Sequence, residues 1–296
     1  MPESESPIVG AVLAWYAGAA RVLPWREPTA TPWAVLVSEI MLQQTPVSRV
    51  LPAYADWLIR WPTPAALAAA TPGDAVRAWG RLGYPRRALR LREAAGAIVA
   101  QHGGKVPSDV AALRALPGVG EYTAAAVAAF AFRQRQAVLD TNVRRVLARV
   151  LTGAAGAGAA VTVAERTVAL EILPAEHERA ATFSAALMEL GALICRARAP
   201  ECASCPLATR CSWRLAGYPA AAGPARRTQG YDGTDRQARG VVLAVLRAQA
   251  GPVRRSQLRT AWADDVQLAR AIDGLVADGL IEPAGGRPPD RFQLPT

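Results

Sequence analysis

Two carboxylates sit where a carboxyl group can do chemistry. Within "WAVLVSEIMLQQTPV", residues 33-47, Glu39 lies among Val35, Leu36, Val37, Ile40, Met41 and Leu42. Apolar surroundings desolvate a carboxyl, raise its pKa and let it keep a proton near neutral pH, the state a general acid needs. Asp140 opens "DTNVRRVLARV", ahead of Val143, Val146, Leu147 and Val150, which share one helical face. There it fits an N-cap, and Asn142 fits a polar residue of the first turn. On local grounds two plainer readings stay open: Glu39 on the exposed side of an amphipathic helix, and Asp140 as a cap and nothing more.

All four cysteines, Cys195, Cys202, Cys205 and Cys211, fall in "CRARAPECASCPLATRC". The C-x6-C-x2-C-x5-C spacing suits a tetrahedral metal or iron-sulfur site better than disulfides in a cytosolic chain. Spacing alone leaves structural zinc and an iron-sulfur cluster open. The first interval carries Arg196 and Arg198, a basic loop suited to phosphate contact, although the same arginines could simply be solvated.

Between these elements lies "LRALPGVGEYTAAAV", residues 113-127. Gly118 and Gly120 flank Val119 and permit a tight turn with positive φ. A helix opening at Gly120 would point free amides outward, which is a phosphate site. A helix-helix turn with no ligand uses the same residues. Tyr122 follows directly.

Other chemistry is short of side chains. Lys105 is the only lysine, in the loop-like "HGGKVP", and His102 and His177 are the only histidines. A lysine Schiff base, a histidine-based triad and a histidine metal site are therefore poor fits, and carboxylates must carry acid-base work.

The elements that must position these residues read as helices. Between residues 8 and 215 apolar residues recur at three and four, without a sustained period of two. Prolines at 24, 28, 32, 46, 52, 62, 64, 72, 107, 117 and 174 fall at expected helix starts and loops. "TGAAGAGAA", residues 152-160, reads as a flexible connection. "GYPAAAGPARRTQGYDGTDRQ", residues 217-237, reads as a linker. Beyond it come three short helical stretches, then a turn and a strand-like end in "GGRPPDRFQLP", the order of a winged helix. A small helical tail packed on the main body is the alternative.

The 296 residues allow two or three domains. The longest apolar run, "TAAAVAAFAF" at 123-132, is about half of the roughly 20 residues a membrane span needs. "MPESESP" has neither the basic start nor the apolar core of a targeting signal, so we expect a soluble protein of the cytosol, at the bacterial nucleoid. A net charge of +10 and a pI near 10.3 favour a polyanionic partner, nucleic acid first. Arginine makes up all but one of the basic residues, so a compositional bias is the rival explanation.

Taken together, "LPWR", "SEIMLQQT", "LGY", "LPGVGEYTAAAV", "LDTNVRRVLAR", "ELGALIC" and the cysteine spacing resemble, in order from about Trp15 to Cys211, the helix-hairpin-helix DNA glycosylases with an iron-sulfur cluster, of the MutY type. The resemblance implies a mainly α fold: a six-helix barrel domain with the hairpin at 29-138 and an iron-sulfur cluster helical domain at 139-216. It leaves an N-terminal helix, 1-28, packing with the cluster domain, the linker at 217-237, and a winged-helix-like domain at 238-296.

The implied reaction is hydrolysis of the N-glycosidic bond of adenine opposite 8-oxoguanine or guanine in double-stranded DNA, by a monomer. Lyases resembling endonuclease III carry a lysine nucleophile where this chain has Tyr122, so water must be the final nucleophile here. Glu39 would protonate the adenine and Asp140 stabilise the sugar cation. Tyr122 and Asn142 would orient them. The resemblance further implies an adenine pocket of Trp25, Arg26, Leu42 and Glu189, with core packing the plainer role of Trp25 and Leu42. Gln44 would intrude into the DNA stack, Tyr84 intercalate, the amides of Val119 and Gly120 grip a phosphate, and Cys195, Cys202, Cys205 and Cys211 hold a 4Fe-4S cluster.

Three departures stand out. The family's "GLGYY" is "RLGYP" here, with Arg81 and Pro85; Thr141 replaces a glycine; and residues 232-296 are too short and too helical for the nudix-like domain that reads 8-oxoguanine. Rival readings are a thymine-mismatch glycosylase, which shares the tyrosine, an endonuclease III-like lyase, and a non-enzymatic iron-sulfur DNA-binding regulator.

Overall fold

The computed structural model describes residues 6-221, 230-286 and 289-296. The acidic start at 1-5 and much of the expected linker, 222-229, lie outside the described residues. In chain order the helices are α1 (Pro7–Ala19), α2 (Pro32–Leu42), α3 (Val47–Arg60), α4 (Pro64–Ala68), α5 (Pro72–Trp79), α6 (Arg86–His102), α7 (Val110–Ala115) and α8 (Glu121–Phe132). They continue as α9 (Thr141–Leu147), α10 (Val163–Ile172), α11 (His177–Leu193), α12 (Ser212–Leu215), α13 (Asp235–Arg247), α14 (Arg255–Ala261) and α15 (Asp265–Ala277). Among the described residues no helix is long and apolar enough to cross a membrane.

Local chemistry sets the helix ends. Pro7, Pro64 and Pro72 occupy first positions, where the missing amide costs nothing. Thr71 with Asp74, and Thr162 with Glu165, form capping boxes. Pro52 departs from expectation: it lies inside α3, not at a start. It removes one helical hydrogen bond, and burial of Val50, Tyr54 and Trp57 on the same helix holds the turn together.

The chain divides into two compact units. The first is Met1–Leu36, Ser108–Arg114 and Val119–Ala225; the second is Val37–Pro107, Ala115–Gly118 and Arg226–Thr296.

In the first unit α11 is the central post, with α1, α8 and α9 packed on it. Val9 and Val12 of α1, Val143 and Val146 of α9, and Phe183, Leu187 and Leu190 of α11 share one core. Gly191 lets α9 come close: a Cβ there would stand 2.6 Å from the Cβ of Asn142. After α9 the chain makes a π-helical turn, Ala148–Thr152, which turns Arg149 inward. The segment 152-160 is not the loose connection expected. Arg144 Nη2 donates to the carbonyls of Gly158 and Ala160 at 3.0 and 2.7 Å, and Arg149 Nε to that of Ala155 at 2.9 Å.

In the second unit α4 and α5 pack on α6, and the Trp57 ring meets Trp61 and Trp79 edge-on at 4.6 and 5.5 Å. The C-terminal part runs α13, β1 (Val253–Arg254), α14, α15, β2 (Glu282–Pro283), β3 (Arg291–Gln293), with an antiparallel sheet ordered β1-β3-β2. That is a winged helix. Strands β1 and β2 were not legible in the sequence, because two residues show no period; Glu282 and Pro283 fell at the end of the third stretch read as helical. The domain is fused to the rest of its unit. Val76 of α5 belongs to its core, the Gly73 amide donates to the Pro295 carbonyl at 2.7 Å, and Arg247 Nε donates to the Val76 carbonyl at 2.9 Å. In return Arg77 Nη1 donates to the carbonyls of Arg247 and Gln249.

Candidate functional site

Asp140 is the N-cap of α9. Its Oδ1 accepts from the Val143 amide at 2.6 Å, and its Oδ2 accepts from Asn142 Nδ2 at 2.9 Å. Burial raises the Asp140 carboxyl above its usual value, while those hydrogen bonds and the charge of Arg145 pull the other way. Arg145 continues the chain of contacts: Nη2 donates to Asn142 Oδ1 at 2.8 Å and to the Gly191 carbonyl at 2.7 Å, and Nε to the Cys195 carbonyl at 2.7 Å. One line of hydrogen bonds therefore joins Asp140 to the backbone of the first cysteine.

The four cysteines line one cavity, closed by Val146, Leu190, Leu207 and Trp213. All are free thiols. Arg149 stacks over the Trp213 ring at 4.2 Å, and its Nη1 donates to Cys195 Sγ at 3.4 Å. Burial pushes the Cys205 thiol up to about 11, and the charges of Cys195, Cys202 and Cys211 add to the shift. Among the described residues no three or more His, Cys, Asp or Glu side chains are closed around a metal position. Four thiols facing one apolar cavity are nevertheless a donor set suited to an iron-sulfur cluster or to zinc. Arg196 is not simply solvated: it pairs with Glu201 Oε1 at 2.9 Å and donates to the Ala199 carbonyl. Arg198 is exposed.

Glu189, on α11, is fully buried. Arg21 holds it with Nε on Oε1 at 2.6 Å, Nη2 on Oε2 at 2.8 Å and its own amide on Oε1 at 3.1 Å. Arg26 Nη2 adds a bond to Oε2 at 3.0 Å. Burial pushes this carboxyl up, but Arg21 and Arg26 outweigh it and leave it below its ordinary value. Arg26 Nη1 is buried with no hydrogen-bond partner, and Trp25 beside it is buried. Arg21 had no mark in the sequence.

Tyr122, in the first turn of α8, is half-buried and packs by Ala126, Ala129 and Val138. Gly120 caps α8 in an extended conformation, φ −87° and ψ −179°, so its expected positive φ is not observed. Only Gly118 uses the left-handed region, at φ +77°. A Cβ there would also meet the Cβ of Arg90 at 2.8 Å. Val119 is buried, and Gly118 and Gly120 are exposed.

The second unit carries Glu39, Leu42, Gln44 and Tyr84. Glu39 is 4% exposed among Leu36, Val37, Ile40 and Met41, none above 1%. The exposed-face alternative for Glu39 therefore fails. Leu42 is half-buried at the end of α2. Gln44 and Tyr84 are exposed and have φ of +55° and +47°, unusual for residues with a Cβ. Pro85 fits its place, because it caps α6 at φ −64°. The carbonyls just before them, of Gln43 and Gly83, both accept from Arg87, which sequence spacing did not single out.

Residues 37–160 match the model of the HhH-GPD superfamily base excision DNA repair proteins. The chain is 55% identical to the adenine DNA glycosylase of Mycobacterium tuberculosis over 91% of its own length and 88% of that protein. It is 54% identical to the adenine DNA glycosylase of Mycolicibacterium smegmatis, over 92% and 91%. Among solved structures, a thermostable thymine-DNA glycosylase superposes with a TM-score of 0.64 at 28% identity, over 70% of this chain and 95% of that one. The chain belongs to the adenine DNA glycosylase family of the HhH-GPD superfamily.

Proposed function

We propose that this chain is a monofunctional adenine DNA glycosylase of base excision repair, acting on adenine opposite 8-oxoguanine or guanine in duplex DNA. The observations that carry this reading are two carboxyls, Glu39 buried in an apolar helix and Asp140 half-buried and fixed at both oxygens, with a phenol at residue 122 where an amine nucleophile would be needed for a lyase.

Breaking an N-glycosidic bond takes protonation of the leaving base and stabilisation of the sugar cation, the division of labour of two carboxyl groups. Glu39, acting in its protonated form, gives its proton to the adenine ring nitrogen. Asp140 faces the developing positive charge as a carboxylate, and water then adds to the sugar carbon. The bonds from Val143 and Asn142 favour that ionised form. Tyr122 and Asn142 orient the carboxylates or the water.

The base must leave the stack, which costs a few kcal/mol. Gln44 and Tyr84 enter the duplex to offset that cost. Arg26, with its unpartnered Nη1, reads the extruded adenine with Trp25 and Glu189; Leu42 is the further pocket residue that the family resemblance implies. The amides of Val119 and Gly120 take a backbone phosphate. Cys195, Cys202, Cys205 and Cys211 would hold a 4Fe-4S cluster, which when bound supplies a tie across the 195-211 loop.

The test offers purified protein duplexes with A opposite 8-oxoguanine, G or T, and T opposite G, followed by alkali, with Glu39→Gln alongside. Adenine-strand cleavage that disappears in Glu39→Gln is the expected result. Excision of T would move the chain to the thymine-mismatch activity, and covalent trapping by borohydride would make it a lyase.

A further inference from the structure

Arg87 is the second residue of α6, and the first turn of that helix has no acidic residue. A cation there faces the positive end of its own helix dipole, so local rules disfavour it. Its partners lie on other segments. Nη1 donates to the carbonyls of Ile40 and Met41 at 2.9 and 3.1 Å and also to that of Gln43. Nη2 donates to Thr45 Oγ1 at 2.9 Å and to the Gly83 carbonyl at 3.1 Å. The guanidinium also stands 5.3 and 5.4 Å from the rings of Trp79 and Tyr84.

Two consequences follow from that geometry. The carbonyls of Ile40 and Met41 are among the last of α2, which lack helical partners, so Arg87 caps the helix that carries Glu39. The carbonyls of Gln43 and Gly83 immediately precede Gln44 and Tyr84, two side-chain-bearing residues at positive φ. One planar fork thus ties down both left-handed turns, and Thr45 strengthens the tie by donating to the Leu82 carbonyl at 3.4 Å.

We propose that Arg87 is a positioning residue that holds Gln44 and Tyr84 ready to enter the DNA stack and steadies the end of the Glu39 helix. This rests on the reading of Gln44 and Tyr84 as the residues that enter the duplex. A backbone held in advance at an unfavourable φ need not be forced there when DNA binds, so the cost of extruding the base falls.

The test compares wild type with Arg87→Lys, Arg87→Met, Gln44→Ala, Tyr84→Ala and the Arg87→Lys/Tyr84→Ala double variant. Base extrusion is read by the fluorescence of 2-aminopurine in place of the target adenine, and chemistry by single-turnover excision, at matched folded fraction by circular dichroism. Arg87→Lys keeps the charge but not the planar fork. It is expected to lose extrusion and duplex excision about 10- to 100-fold, the scale of a misplacement near 1 Å. The loss should shrink for an adenine opposite an abasic site, where less stacking must be broken, and should not add to that of Tyr84→Ala. Full wild-type behaviour of Arg87→Lys would mean that charge alone matters, and an equal loss on both substrates would mean a general structural role; either overturns the proposal. If Gln44→Ala and Tyr84→Ala both keep full extrusion, the underlying reading fails, and the proposal with it, whatever Arg87 does. Arg87→Met serves as the check that the same pattern appears without the charge.

Discussion

Asn142 donates to Asp140 Oδ2 at 2.9 Å through one end of its amide and accepts from Arg145 Nη2 at 2.8 Å through the other. The amide therefore has one orientation only, and it presents a donor to the carboxylate. Asn142→Asp would place two carboxylates in contact and Asn142→Ala would free one oxygen of Asp140. Each is expected to lower single-turnover excision by about 10- to 100-fold, as for a small misplacement of a reacting group, with little change in melting temperature. Wild-type rates in both variants would remove Asn142 from the mechanism.

Asp140→Asn separates catalysis from stability. Burial raises the folded pKa of Asp140 above its ordinary 3.8, so the folded state holds the proton longer than the unfolded chain. Stability then falls as pH rises through the window just above that value. Asparagine caps a helix as well as aspartate, without the ionisation cost. Excision should be lost, while melting temperature above pH 5 is equal to or higher than that of wild type. A variant much less stable at neutral pH would contradict the sign of this shift.

Arg21→Ala should be costly. Glu189 would stay buried with Arg26 as its remaining cation, and breaking a buried pair costs about 3–5 kcal/mol. Arg21 is itself 35% exposed, so solvent screening reduces this to about 2–3 kcal/mol. Because the folded pKa of Glu189 is depressed below its ordinary 4.5, its stabilisation is present above that value and disappears as pH falls through the depressed one. Denaturant titrations of wild type and Arg21→Ala from pH 7 to pH 3 should converge on the acid side.

Gly191→Ala tests the close approach of α9 and α11. The added methyl would lie 2.6 Å from the Cβ of Asn142 and 2.9 Å from its carbonyl oxygen, and backbone cannot yield as a flexible side chain does. Overpacking of this kind costs about 1–3 kcal/mol. Since the clash falls on Asn142, excision should drop further than the folded population does. Equal activity per folded molecule would show that α9 relaxes freely.

The winged helix is expected to brace α5, not to take part in the chemistry. Arg247 donates to the Val76 carbonyl, and burial pulls its pKa down to about 10. Arg247→Ala leaves that carbonyl and those served by Arg77 less well held, at about 1–3 kcal/mol. The measurement is melting temperature against excision per folded molecule: the first should fall and the second stay. A reversed pattern would assign the domain a direct role in the reaction.

What the sequence by itself determined was everything written over short spans. A glutamate inside an apolar helical run, an aspartate three residues before the valine amide it caps, a tyrosine after the hairpin, and four cysteines within one segment can all be read from spacing, because helix period and capping act over three or four residues. The winged-helix order was legible for the same reason, apart from β1 and β2. Only the tertiary structure decided which arginines matter. The chain has 34 basic residues, all but one of them arginine, and nothing local distinguishes Arg21, Arg87, Arg145 or Arg149 from the rest. Arg21 finds Glu189 across 168 positions, and Arg145 finds the Cys195 carbonyl across 50. Most of these contacts end on backbone carbonyls, which every residue possesses, so no side-chain pattern records them. Where a guanidinium goes is settled by which carbonyls packing leaves buried and unpaired, and that exists only after the helices have come together.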